Sequence, residues 1–230
     1  MSAGVTPEIV YPESDGKPVA DNTKQLRWFL TLATALMGLF RHATDVFVGS
    51  DLLWYPLEGE PGMAQAPDIF VVFGRPPGDR RSYKQWEEAG LPMTVVFEIL
   101  SHSNSPMEMM DKFAFYEENG VEEYYLFDPD ANRLRIFIRG RETLRRIYKT
   151  DGFVSPRLGV KLVTSGPELA VFGPDGLRFL DPRAAAEERE ALIHQRDRLV
   201  VLARRALAGQ ATPEEALELQ RLLGDGEGGK

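Results

Sequence analysis

Thr94-Val95-Val96-Phe97-Glu98-Ile99-Leu100 is an apolar run broken by one acid. It is too short for a typical helix, and β-branched and aromatic residues fill its centre. It therefore reads as a strand buried on both faces. Glu98 is the anomaly, because an ionised carboxylate in such a strand is costly unless it is paired or bound to a cation. Upstream, Ile69 to Phe73 has the same two-sided apolar character and opens on Pro67-Asp68. Each of two buried strands thus carries one acid near an end.

Working outward, Ser105-Pro106 is a helix start, with Ser as N-cap and Pro at the first helical position. The helix is expected to run to Asn119 and to stop at Gly120. Tyr124 to Phe127 reads as a further strand, and Asp128-Pro129-Asp130-Ala131-Asn132 as a hairpin turn. Beyond it Leu134, Ile136 and Ile138 alternate with Arg133, Arg135, Phe137 and Arg139, giving one buried face and one mostly basic face. Arg141 to Tyr148 completes a meander, and residues 150–181 hold short apolar runs punctuated by Gly and Pro.

Upstream of Asp68, residues 1–20 read as extended, broken by Pro7, Pro12 and Pro18. A helix begins at Asp21 or Asn22 and runs to Arg41, its apolar face expected to be Leu26, Phe29, Leu30, Ala33, Leu36, Met37 and Phe40. Asp45 to Tyr55 reads as a strand that contains Asp51; Pro56 to Ala66 is a turn, and Gly74 to Trp86 a polar loop. Composition changes at Pro182. Residues 183–208 read as one long helix, and a short helix follows Thr212-Pro213 with Glu215 placed for a capping box. The expected organisation is an α/β core over 1–181, C-terminal helices over 182–223 and a disordered tail over 224–230, with no internal repeat.

The chain of 230 residues, 43% hydrophobic, is long enough for one domain and an appendage. Its 27 basic and 35 acidic residues leave a net charge of −8, so a polyanionic partner needs a local basic patch or bridging cations. Absence of cysteine excludes disulfides, zinc-thiolate sites and cysteine nucleophiles. With three histidines (His42, His102, His194) a histidine cage is not expected, so any metal would be a hard, oxygen-bound one. The first 20 residues show no signal-peptide core. The apolar run Trp28–Phe40, flanked by Arg27 and Arg41, falls short of the ~20 residues that span a bilayer. A cytoplasmic protein without a membrane partner is expected.

Phosphate-loop, nucleophile-elbow and HExxH motifs are absent. What remains is the acid pair. Two carboxylates on adjacent strands, completed by a backbone carbonyl and waters, make an oxygen site suited to Mg2+, which can polarise a phosphodiester and acidify an attacking water.

At this point the sequence resembles the PD-(D/E)XK restriction-endonuclease-like superfamily. Its closer likeness is to the small stand-alone bacterial members common in cyanobacteria. The segments PDIFVVFGRPPG (67–78), VVFEILSHSNS (95–105) and MMDKFAFYEENGVEEYYLFDPD (109–130) carry it, with YPESDGKPVADNT (11–23) at the front. The likeness spans roughly residues 8–160. It implies an α/β fold with a mixed central sheet flanked by helices, here with a C-terminal helical extension. It also implies a Mg2+-dependent (or Mn2+-dependent) endonuclease acting on DNA, with Asp68 and Glu98 as metal ligands and catalytic acids. The motif's lysine would fall at position 100, which is Leu100. The resemblance implies that the following helix supplies the lysine instead, with Lys112 as the matching candidate to orient the attacking water or neutralise developing charge.

Asp51 is a candidate further ligand and Glu13 a candidate additional acid from the N-terminal segment. Ser101 and Asn104 are candidates to touch phosphate, against the plainer reading that their loop caps the next helix; His102 is expected to be exposed. Arg75, Arg80, Arg81 and Lys84 form a basic cluster after the Asp68 strand, and residues 133–149 hold seven basic residues against Glu142. Either cluster could meet DNA phosphates, or serve as a solvated face that guards a strand edge. Aromatic residues are not interleaved with them in a stacking pattern, so single-strand readout is not expected. Leu192, Leu199, Leu202 and Ala206 are nearly heptad-spaced, which suggests a homodimer through the C-terminal helix. Two other functions fit the same residues: a nuclease fold kept as an inactive interaction scaffold, and a metal-dependent hydrolase of another substrate.

Overall fold

The computed structural model describes residues 9–224. They form helices α1 (Thr23–Leu39), α2 (Pro106–Glu118), α3 (Pro182–Leu207) and α4 (Pro213–Gly224). The strands are β1 (Val46–Gly49), β2 (Trp54–Tyr55), β3 (Ile69–Phe73), β4 (Tyr83–Lys84), β5 (Val95–Ile99), β6 (Glu123–Asp128), β7 (Arg133–Arg139), β8 (Leu144–Ile147), β9 (Phe153–Val154), β10 (Lys161–Val163) and β11 (Ala170–Phe172). The chain divides into two compact units, one ending at Phe179 and one beginning at Leu180.

In the first unit six strands pair in the order β1-β3-β5-β6-β7-β8. All neighbours are antiparallel except β5 and β6, which α2 connects as a crossover. The sheet is therefore mixed, and apolar clusters cover both of its faces. Ile69, Val71, Val95, Phe97 and Ile99 pack with Trp28, Phe29, Leu32, Ala33 and Leu36 of α1. Phe70, Val72, Val96, Tyr116 and Tyr124 fill the cluster beside α2. The alternation along β3 and β5 matches the period-2 pattern of a two-sided strand.

Asn22 caps α1, accepting from the backbone of Lys24 and Gln25. The buried stripe of α1 is rotated from the expected one. Trp28 and Leu32 replace Leu26, Leu30 and Met37, which are exposed. Both stripes keep helical spacing, and burial of Trp28 against Phe127, with ring centroids 4.8 Å apart, decides between them. The expected strand Asp45 to Tyr55 is two strands, β1 and β2, separated by a turn. Asp51 lies in that turn with φ of 51°, a left-handed conformation that Asp tolerates better than most residues. Gly49 ends β1 where a Cβ would sit 2.4 Å from the Phe70 ring, so only glycine fits.

Strands β9–β11 form a small sheet whose Leu162 and Val171 close the α1-side core. Glu123, 1% exposed, ties that region to β6. Its carboxylate accepts from Tyr125 hydroxyl (2.7 Å), Ser155 hydroxyl (2.5 Å) and the Arg157 backbone N–H (2.7 Å).

In the second unit Asp181 caps α3, and the capping box of α4 is formed in both directions between Thr212 and Glu215. Ion pairs Arg198–Glu218 and Arg205–Glu215 join the two helices. Of the tail expected over 224–230, residues 225–230 lie outside the described residues.

Candidate active site

The site follows from register. β3 and β5 are antiparallel with Ile69 opposite Phe97, so one step outward Asp68 stands opposite Glu98. Directly opposed residues project on the same face with Cβ atoms about 5 Å apart. That face is the α2 side, since Phe70 and Val96 of the next pair belong to the α2-side cluster. Topology alone thus brings together two acids thirty residues apart in the chain.

Helix α2 lies over them. Lys112 Nζ is 2.7 Å from Glu98 Oε2 and 3.4 Å from the Ala66 carbonyl oxygen. One turn later the Tyr116 hydroxyl, fully buried, donates to Glu98 Oε1 at 2.5 Å. Glu98 is 3% exposed. Asp68 is half-buried, and its Oδ2 accepts the Ile99 backbone N–H at 2.6 Å. Among the described residues Oδ1 has no hydrogen bond. Two carboxylates therefore face one ammonium. Burial, and then the neighbouring charge of Glu98, push the Asp68 pKa up from 3.8 to about 8, against the opposing pull of Lys112 and the Ile99 N–H. Burial works to lower the Lys112 pKa, but Glu98 and Asp68 outweigh it, so the lysine is held above its ordinary value and stays charged.

Asp68 and Lys112 open onto a polar cleft of about 280 Å3 lined also by Asp15, Asp21, Asp51, Glu108 and Lys17, with Glu98 buried behind them. Lys17 reaches across from the N-terminal segment to Glu108 at 3.0 Å. Asp51 faces the cleft; burial, then Asp15, raise its pKa, while Lys112 opposes. Asp21, free of the capping role, accepts from the hydroxyls of Ser101 (2.5 Å) and Ser103, and these bonds lower its pKa. Gln25 lies behind this wall, its side-chain amide donating to the Ile99 carbonyl at 2.8 Å.

Several expected contacts lie elsewhere. Glu13 is not in the cleft; it pairs with Arg81 at 3.3 Å. Arg75 and Arg80 both turn to Glu88 at 2.6 Å, and Arg80 also lies over the Phe47 ring, so the two arginines share one carboxylate and keep one net positive charge. Lys84 pairs with Glu87 at 3.3 Å. Ser101 and Asn104 brace their own loop, Asn104 Oδ1 accepting the Ser101 N–H at 2.8 Å, although Asn104 also reaches the cleft. Gln25 and Asp21, which line the cleft, and Tyr116, buried against Glu98, are the residues that residue-by-residue reading missed. Tyr116 sits at i,i+4 from Lys112, which was a readable signal of a shared helix face.

Among the described residues no cluster of three or more acids and histidines stands assembled around a metal position. The donor chemistry nonetheless fits a small hard cation. Mg2+ characteristically takes one or two carboxylates and keeps several waters, and once both Asp68 and Glu98 are ionised they carry one negative charge more than Lys112 balances.

Residues 10–171 match the family model Uma2, described as putative restriction endonuclease. No curated protein matches the chain. Among solved structures, a protein of Anabaena variabilis described as a putative nuclease belonging to DUF820 aligns with a TM-score of 0.44 at 14% identity. The alignment covers 58% of this chain and 72% of that one.

Proposed function

Because the chain belongs to the Uma2 family, whose model is described as putative restriction endonuclease, we propose that it is a divalent-metal-dependent endonuclease that hydrolyses DNA phosphodiester bonds at the Asp68–Glu98 cleft. The observation that carries this reading is the opposed, under-neutralised acid pair with Lys112 2.7 Å from Glu98. A buried like-charge pair is expensive, and such an expense is characteristic of catalytic sites rather than of frameworks.

Asp68 and Glu98 would hold Mg2+ or Mn2+, which when bound supplies a Lewis acid and a more acidic water. Tyr116 fixes the Glu98 carboxylate by one oxygen. Lys112 stays charged and positioned over the strand ends, where it favours charge developing on a phosphoryl oxygen or orients the attacking water. Gln25 and the Ile99 N–H hold the end of β5 so that both acids keep their aim. The cleft's acidity repels a polyanion unless a cation is bound, which makes substrate entry and metal loading one event.

Phosphates find their counter-charges more readily on the exposed arginines of β7 and β8 than on Arg75 and Arg80, which Glu88 already occupies. A homodimer would bring two sites to one duplex. Of the near-heptad set on α3, Leu192 is exposed but Leu202 is fully buried, so a seam between copies would run beside Leu202 rather than through it; chains that sediment as monomers at assay concentration would remove the dimer. Among the described residues no helix is long and apolar enough to cross a membrane.

The test is nicking of supercoiled plasmid in Mg2+ or Mn2+. Asp68→Ala and Glu98→Ala are expected to lower the rate by about a thousandfold or more, and Lys112→Met by about a hundredfold. Full activity in either acid variant overturns the assignment. Absence of any divalent-dependent cleavage by the native chain favours the scaffold reading instead.

A further inference from the structure

The flank of α2 beside the Lys112–Tyr116 contact lines a second depression. A cavity of about 650 Å3 lies between that flank and strands β6 and β7, walled by Met109, Met110, Phe113, Tyr124 and Phe137, with Arg135 among them. Its volume is that of a small-ligand site, and its lining is nearly all apolar. Three features separate it from an ordinary surface hollow. The Tyr124 hydroxyl is buried yet has no hydrogen-bond partner among the described residues; in a folded protein such a group calls for an explanation. Arg135 has no ion-pair partner among the described residues, unlike Arg75, Arg80 and Arg157. Finally, Asn104 lines both this cavity and the Asp68 cleft, so the two are neighbours on either side of it.

We propose that this trough seats an unpaired nucleotide base of the strand whose phosphate lies in the cleft. The inference rests on the nuclease reading of that cleft and extends it to the form of the substrate. Aromatic rings, a guanidinium plane and flexible thioethers are the surfaces on which splayed bases stack. The Phe113 and Phe137 rings meet at 5.0 Å, and Arg135 is two residues from Phe137 on the same strand face. The fold thus brings the aromatic and basic groups together from two elements, which the linear order of the basic clusters did not reveal. Every base has polar edge atoms to offer the Tyr124 hydroxyl after a small side-chain adjustment, and Arg135 can meet the base or its phosphate. A closed duplex keeps its bases stacked inside. The trough therefore selects single-stranded, frayed or extruded nucleotides.

The experiment measures binding in Ca2+ in place of Mg2+, so that the cleft acids are neutralised, with recovery of intact strands as the control that nothing is cut. The probes are labelled oligothymidylate, an abasic strand of the same length and a duplex, together with the fluorescent apolar anion anilinonaphthalenesulfonate. The base-bearing strand is expected to bind about tenfold or more tightly than the abasic strand and to displace the apolar probe. Arg135→Gln and Tyr124→Phe should each weaken oligothymidylate several-fold while leaving duplex affinity unchanged. Met110→Asp, at an exposed position on the rim, should abolish the preference without unfolding the chain. Equal affinity for base-bearing and abasic strands, or an apolar probe that oligothymidylate does not displace, overturns the trough assignment and leaves the nuclease reading standing. Retained base preference in a chain with no divalent-dependent cleavage removes the nuclease reading and keeps the trough. Failure of every nucleic acid to bind overturns both.

Discussion

Glu123 and the Asp68–Glu98 pair are buried acids on neighbouring strands of one sheet, yet their surroundings differ in kind. Around Glu123 the fold supplies three donors, two hydroxyls and a backbone N–H, and no second carboxylate competes for them. Around Asp68 and Glu98 it supplies one lysine, one tyrosine and one backbone N–H for two acids, and burial with mutual repulsion holds Asp68 up at about 8. A satisfied buried acid fastens structure; an under-satisfied pair stores electrostatic cost that a cation can relieve. Glu123 borders a hollow of its own beside Arg139 and Arg157, but its oxygens are taken up by protein donors. Asp68 lines the polar cleft with Oδ1 unbonded among the described residues, which is the arrangement expected if only the second site is for chemistry.

That contrast can be broken most forcefully at Glu123. Glu123→Ala leaves Tyr125, Ser155 and the Arg157 N–H without their acceptor and should cost on the order of 3 kcal/mol in urea unfolding. The cleavage rate per folded molecule should not change. A stability loss near zero would mean that Glu123 is not the fastening described.

A smaller effect of opposite sign is expected at Asp68. Its folded-state pKa of about 8 lies above the ordinary 3.8. Between those values the native state binds the proton more tightly than the unfolded chain does. Stability should therefore fall as pH rises from about 4 to about 8 and level off beyond. Asp68→Asn should flatten that part of the profile and stabilise the chain at pH 8 by on the order of 2 kcal/mol, while abolishing cleavage. Thermal unfolding across the pH range measures this, and a variant less stable than the native chain at pH 8 contradicts the account.

Least disruptive is Tyr116→Phe, which removes one hydrogen bond to Glu98 and keeps the packed ring. It should cost about 1 kcal/mol and lower cleavage several-fold. An unchanged rate would mean that Glu98 needs no fixing by α2.

Much of this was legible in the chain. Two short apolar runs bearing single acids gave the central strands, and Ser105-Pro106 with Gly120 gave α2 and hence Lys112. Opposition of Asp68 and Glu98 was not legible residue by residue, because it depends on a strand register fixed by both faces of the sheet. The internal pairing of the basic loop was not legible for a local reason: Arg75 and Arg80 fold back onto Glu88, whose position in the sequence looks like an ordinary surface acid. Asp51 was assigned to a strand, where its left-handed φ cannot be seen from composition. Tyr116 drew no role from the sequence because its hydroxyl function appears only once Glu98 lies beneath it.

Calorimetric titration with Mn2+ addresses the shared cation site most directly. The native chain should bind one ion per cleft at millimolar or lower concentration, Asp68→Ala and Glu98→Ala should each eliminate that binding, and Glu123→Ala should leave it intact. Binding that survives both cleft substitutions, or no binding by the native chain at tens of millimolar, would contradict the claim that Asp68 and Glu98 hold a metal ion between them.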